Sequence, residues 1–183
     1  FEIVKRAITD GTRISIPNSM DYTGNQLRPE VSITLNNVPV NPDNYTVAYG
    51  DNIEVGTGAG KVIITGRNNY EGETTVSFTI NRRNISVGNF LEIKSTDGPD
   101  ASEYDFINGV LDDRYYQYDG TKKEPALQVS FGGGESGMDS TSLVEGTDYS
   151  VEFSSNQDIG TAQATVTGIG NFTGSKTVQF KIK

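Results

Sequence analysis

The sequence predicts an all-β chain that builds two β-sandwich modules in tandem. Three observations point there. Apolar and polar residues alternate with a period of two through many short segments. The breaks between those segments carry Asn, Asp, Pro and Gly, the residues of tight turns. The whole order of segments and breaks then occurs a second time along the chain.

The strands can be read in order. Arg13-Ile14-Ser15-Ile16 comes first. Val31, Ile33 and Leu35 follow, then Tyr45, Val47 and Tyr49, then Val62 and Ile64, then Val76, Phe78 and Ile80. In the second half the sets are Leu127, Val129 and Phe131; Tyr149, Val151 and Phe153; Ala164 and Val166; and Val178, Phe180 and Ile182. Each set falls on one face of its strand. A sheet with one dry face needs another to cover it, so two sheets packed face to face are expected in each module. Turns are expected at Asn36-Asn37, Asn41-Pro42-Asp43, Asn69-Tyr70-Glu71-Gly72, Gly146 and Gly168. The segment 99–106 is expected to form one short helical turn at most.

The repeat sets the module boundaries. Phe78-Thr79-Ile80-Asn81-Arg82-Arg83 echoes Phe1-Glu2-Ile3-Val4-Lys5-Arg6, and Phe180-Lys181-Ile182 returns to the same Phe-x-Ile. Tyr22-Thr23-Gly24 with Pro29 matches Tyr118-Asp119-Gly120 with Pro125. Asn44-Tyr45-Thr46-Val47 matches Asp148-Tyr149-Ser150-Val151, and Asn69-Tyr70-Glu71-Gly72 matches Asn171-Phe172-Thr173-Gly174. The modules are therefore 1–80 and 81–183. The Phe-x-Ile marker recurs after 77 and then 102 residues, so the second module is 25 residues longer. Loop insertions near 87–117 and 132–144 account for the excess, less two residues lost between Tyr149 and Phe172. The chain begins and ends at the same marker, which reads as a piece excised from a longer array of repeats.

Composition narrows the function. Cysteine and histidine are both absent. That removes disulfides, thiol nucleophiles, Ser-His-Asp and Cys-His arrangements and the usual zinc sites. An enzyme is not expected. The net charge of −9 disfavours nucleic acid and anionic membrane surfaces as partners. No apolar run approaches the roughly 20 residues of a membrane span.

The run Gly160-Thr161-Ala162-Gln163-Ala164-Thr165-Val166-Thr167-Gly168-Ile169-Gly170-Asn171-Phe172-Thr173-Gly174 resembles the closing half of a bacterial Ig-like repeat. Tyr118-Asp119-Gly120, Pro125 and Asp148-Tyr149-Ser150-Val151 extend the likeness over most of both modules. The resemblance implies two tandem immunoglobulin-like β-sandwich modules. It also implies a place outside the cell, on the surface or wall of a Gram-positive bacterium or beside a secreted enzyme's catalytic domain. Gly58-Ala59-Gly60 departs from the pattern, and a bulge or wider loop is expected there.

Candidate sites fall in the first insertion. Tyr104, Phe106, Tyr115 and Tyr116 could stack on a sugar or anchor a protein contact, or could bury and pin the insertion down. Tyr118 lies beside them but matches Tyr22, so it is expected in the core. Asp97, Asp100, Glu103 and Asp105, with Asp112 and Asp113 near them, offer hard oxygen ligands for calcium, although their spacing matches no EF-hand loop. Gly132-Gly133-Gly134-Glu135-Ser136-Gly137 lacks the Gly-Lys-Ser/Thr of a phosphate loop and reads as a hairpin tip. Asn44, Asn84 and Asn171 open formal glycosylation motifs and read as turn chemistry.

Three functions remain in view. The first is a non-catalytic stalk or spacer: Asn81-Arg82-Arg83-Asn84 is too short for a loose tether, so a semi-rigid rod with neighbouring repeats of the same chain is expected. The second is an adhesin module taking a host glycan or protein through the insertion. The third is an accessory module of a secreted carbohydrate-active enzyme.

Overall fold

The computed structural model describes residues 4–88, 91–97, 104–107, 110–132 and 140–183, with the side chains of 104–114 outside that description. The chain is all-β, with several sheets and no α-helix among the described residues. It divides into two compact units, Phe1–Asn81 and Arg82–Lys183.

Unit 1 runs β1 (Arg6–Ala7), β2 (Thr12–Ser15), β3 (Ser19–Asp21), β4 (Ser32–Leu35), β5 (Val38–Pro39), β6 (Tyr45–Tyr49), β7 (Gly56–Gly66), β8 (Tyr70–Glu71) and β9 (Glu73–Asn81). One sheet has the order β2-β4-β5 and a second the order β3-β9-β7-β6, while β1 pairs β8 in parallel. Alternation explains which side chains meet. Ile33 from the first sheet and Val62, Ile64, Phe78 and Ile80 from the second share one buried cluster with Ile8. Each such side chain contributes about 1.5–3 kcal/mol by leaving water.

The turns follow their chemistry. Leu35 faces Val38 across a two-residue link, and Asn36 and Asn37 sit at φ 50° and 65°. Two positive φ values in succession give the hairpin turn whose twist matches its strands, and asparagine tolerates them. Asn41 accepts the Asp43 amide at 2.9 Å and starts the 3-10 turn Pro42–Asn44.

Unit 2 runs β10 (Arg83–Asn84), β11 (Leu91–Ser95), β12 (Tyr104–Ile107), β13 (Val110–Tyr116), β14 (Leu127–Phe131), β15 (Thr141–Ser142), β16 (Tyr149–Ser154), β17 (Gly160–Gly168), β18 (Phe172–Thr173) and β19 (Ser175–Ile182). Its pairings reproduce those of unit 1. β10 meets β18 as β1 meets β8, and β13 lies parallel to β19 as β3 lies parallel to β9. The Ile8 amide donates to Glu71 and the Ile85 amide to Thr173, both at 2.8 Å. Tyr22 donates to Asn81 at 2.9 Å and Tyr118 to Lys183 at 2.8 Å. Phe78 and Phe180, 2% and 0% exposed, sit opposite Gly60 and Ala162 on matching strands.

The expected bulge is present. Gly56 pairs Ile80 and Gly60 pairs Phe78, so the register shifts between them. In unit 2 the same stretch pairs without interruption, Gly160 with Ile182 through Ala162 with Phe180.

The first insertion corrects two expectations. Its described part forms strands, neither a loop throughout nor a helical turn. Strand β12 pairs β11 through Ser95–Tyr104 and Lys94–Asp105, then pairs β13 through Phe106–Leu111 and Ile107–Val110. A single helical turn fixes several residues for one hydrogen bond, whereas a strand here finds a partner on each side. The result joins what are separate sheets in unit 1 into one eight-stranded order, β15-β14-β11-β12-β13-β19-β17-β16. Residues 99–103 of the expected turn lie outside the described residues, as do 133–139 of the second insertion, which hold the glycine-rich tip beyond Gly132.

Candidate functional site

Tyr115 and Tyr116, the aromatic candidates whose side chains are described, do not share one platform. Tyr115 and Tyr116 are neighbours on β13, so they project to opposite faces. Tyr116 turns inward. Its ring meets Phe180 edge-on at 5.4 Å, and its hydroxyl lies 3.0 Å from the fully buried Ser95 Oγ. It ties β13 to β11 across the insertion. Tyr115 is 41% exposed, with the Lys183 ammonium 4.9 Å from its ring centre. The side chains of Tyr104 and Phe106 lie outside the described residues, although their strand is placed. Tyr118 departs from its expected core position: its backbone matches Tyr22, but its side chain is 44% exposed, whereas Tyr22 packs against the core of unit 1. Backbone register was inherited by the longer module, and side-chain cover was not.

Among the acidic candidates only the Asp97 side chain is described. Its Oδ1 accepts the Ala126 amide at 2.8 Å and the Ser95 hydroxyl at 3.4 Å, so it clasps the end of β11 to the segment before β14. Asp100 and Glu103 lie outside the described residues, and so does the side chain of Asp105. Among the described residues no three His, Cys, Asp or Glu side chains gather around one point. Asp119 is a second clasp. It accepts from the Lys123 ammonium at 2.7 Å and from the Thr121 hydroxyl and amide at 2.6 and 2.9 Å. Those donors, Lys123 first and Thr121 next, hold its carboxyl well below the usual carboxylate range. At the formal glycosylation motif of Asn84, the side chain accepts the Ser86 amide at 2.9 Å, as turn chemistry requires.

The sequence reading missed a pair of buried asparagines. Asn52 and Asn156, 5% and 8% exposed, each donate Nδ2 at 3.0 Å to a carbonyl of the distant loop, Leu27 and Lys123 respectively. The signal was present: both lie seven residues beyond the matched tyrosines Tyr45 and Tyr149.

Surface concavities also occur among the described residues. One, about 300 Å³, lies in unit 2 between Lys122 and the loop 155–161. Its amides are already engaged, Asn156 with Lys123 and Gln157 with the Gly120 carbonyl at 3.2 Å. Another, about 230 Å³, lies on the outer face of the β2-β4-β5 sheet and is lined by Arg13, Ser15, Ser32, Thr34 and Asn37. Alternation puts this polar set outward because Ile14 and Ile33 face in. No family model, curated protein or solved structure matches the chain.

Proposed function

We propose that this chain is a non-catalytic spacer from a bacterial extracellular surface protein, made of two immunoglobulin-like β-sandwiches that bear tension. One observation carries the reading. In each unit the last long strand lies parallel to an early strand of the same unit, β9 beside β3 and β19 beside β13. The first strand, β1 or β10, likewise lies parallel to the short strand that leads directly into that last one. Tension that draws the two ends of a unit apart therefore acts along these strands. Hydrogen bonds loaded that way must stretch together, whereas bonds peeled from one end break singly. Resistance to forced unfolding is a matter of unfolding rate, and simultaneous loading lowers that rate.

Single-molecule pulling tests this. Force applied through the two ends of unit 1 is expected to exceed the force needed when unit 1 is pulled through residues 48 and 81, which peels the edge strand β6. Equal forces in the two geometries would remove the mechanical reading.

A second reading, an adhesin module that takes a host glycan or protein through the first insertion, is favoured by the exposed rings of Tyr115 and Tyr118. Tyr115→Ala combined with Tyr118→Ala should abolish binding to a glycan and mucin panel in that case. Unchanged binding leaves the insertion with its structural role alone.

A further inference from the structure

The polar concavity on unit 1 presents a guanidinium beside three hydroxyls and an amide. Arg13 and Thr34 face each other across β2 and β4, as do Ser15 and Ser32, and Asn37 stands at the hairpin beyond them. Among the described residues none of these side chains hydrogen-bonds to another protein group. Other exposed polar side chains, Asp119, Asp97 and Asn84 among them, act as clasps.

The matching face of unit 2 sharpens the contrast. Glu92 stands where Arg13 does and Lys94 where Ser15 does, opposite Ser130 and Gln128. There the Ser130 hydroxyl donates to Glu92 at 3.5 Å. The two faces share one backbone register and carry opposite charge at the key position. Nothing about the sheet requires a cation at position 13, since its counterpart is an anion.

We infer that the outer face of β2-β4-β5 binds the acidic sugar unit of a glycan, with Arg13 receiving the carboxylate. A guanidinium offers two parallel N–H donors that match a carboxylate, and the fork is fixed in geometry. Ser15, Ser32 and Thr34 each donate and accept, which suits the hydroxyls of a sugar ring. The Asn37 amide adds a donor and an acceptor at the rim. No aromatic ring lines the concavity, so stacking on a neutral sugar is not its mode. Its volume of about 230 Å³ has room for a single sugar ring. The protein as a whole carries −9, and Arg13 is the charged side chain among those that line this face.

The test is an amide-shift titration of the 183-residue chain with D-glucuronate, D-glucose and inorganic sulfate at matched ionic strength. Glucuronate should give saturable shifts confined to residues near 13, 15, 32, 34 and 37. Glucose and sulfate should each bind about tenfold more weakly or worse, because each lacks one half of the interaction. Arg13→Glu, which copies unit 2, and Arg13→Ala should both abolish saturation while leaving the remaining spectrum in place. Ser15→Ala is a milder variant, expected to weaken glucuronate and leave sulfate unchanged. Equal response to sulfate and glucuronate would mean an adventitious ion only, and would overturn the proposal. So would the absence of saturable shifts, or shifts that survive Arg13→Ala.

Discussion

Asn52 and Asn156 hold the same position in the two units, each buried and each donating its side-chain amide to a carbonyl about 30 residues earlier in its own unit. The backbone repeats the bond in reverse: the Leu27 amide donates to the Asn52 carbonyl at 3.0 Å and the Lys123 amide to the Asn156 carbonyl at 2.7 Å. Each asparagine thus locks a long connection to the start of the strand β7 or β17. Hydrogen bonds made where water is excluded are stronger than exposed ones, and losing one partner there is costly.

The two clamps are expected to differ in strength. Asn52 also donates to the Lys61 carbonyl at 3.0 Å and accepts the Lys61 amide at 2.7 Å, and its φ of 48° suits asparagine. Asn52→Ala should destabilise unit 1 by about 2–3 kcal/mol and Asn156→Ala should destabilise unit 2 by about 1–2 kcal/mol. Urea unfolding followed by residue-resolved NMR separates the units. Losses below half a kcal/mol at both sites would mean that the loops are held by something else.

Gly60 and Phe78 make a second, asymmetric prediction. A methyl group built on Gly60 overlaps the Phe78 ring, which is buried and has nowhere to move. The equivalent residue of unit 2 is already alanine, because there the strand has no bulge. Gly60→Ala should cost unit 1 about 1–3 kcal/mol through overpacking. Adding Phe78→Leu should return part of that loss, since residues in contact couple. A neutral Gly60→Ala in thermal unfolding would show that the bulge relaxes freely.

Asp119 gives a pH dependence with a definite sign. Its carboxyl is lowered in the folded unit, so the folded state binds the proton less readily than the unfolded chain. Its contribution is present above the unfolded carboxylate value of about 3.9 and fades as pH falls below it. The pair with Lys123 is exposed on the carboxylate side, so salt should weaken it. Asp119→Asn should flatten that part of the acid limb of unit 2 in melts taken between neutral and acid pH. An unchanged limb would show that other carboxylates dominate it.

Much of the architecture was legible in the sequence because it rests on period-two alternation. Val62, Ile64, Phe78 and Ile80 could be placed inward from spacing alone, and the bulge followed from two extra residues near Gly58-Ala59-Gly60. The insertion was less legible. Tyr104–Ile107 is too short for a periodic signal, and its strand exists only because β11 and β13 stand ready to pair with it. The Asn108-Gly109 dipeptide between Ile107 and Val110 was the available hairpin signal. Candidate residues were legible only as chemistry. Tyr115 and Tyr116 look alike in sequence, and strand geometry sends one outward and one onto Phe180. The clamp asparagines carried no signal beyond the repeat offset, because a buried amide has no periodicity.

One β architecture is built twice along this chain. Amide hydrogen exchange, resolved by residue, tests it most directly. The paired amides Ile8 and Ile85, Tyr22 and Tyr118, Leu27 and Lys123, and Gly66 and Gly168 each donate to matching carbonyls. Strong protection is expected at both members of every pair. Protection in one unit with free exchange at its counterparts in the other would contradict it.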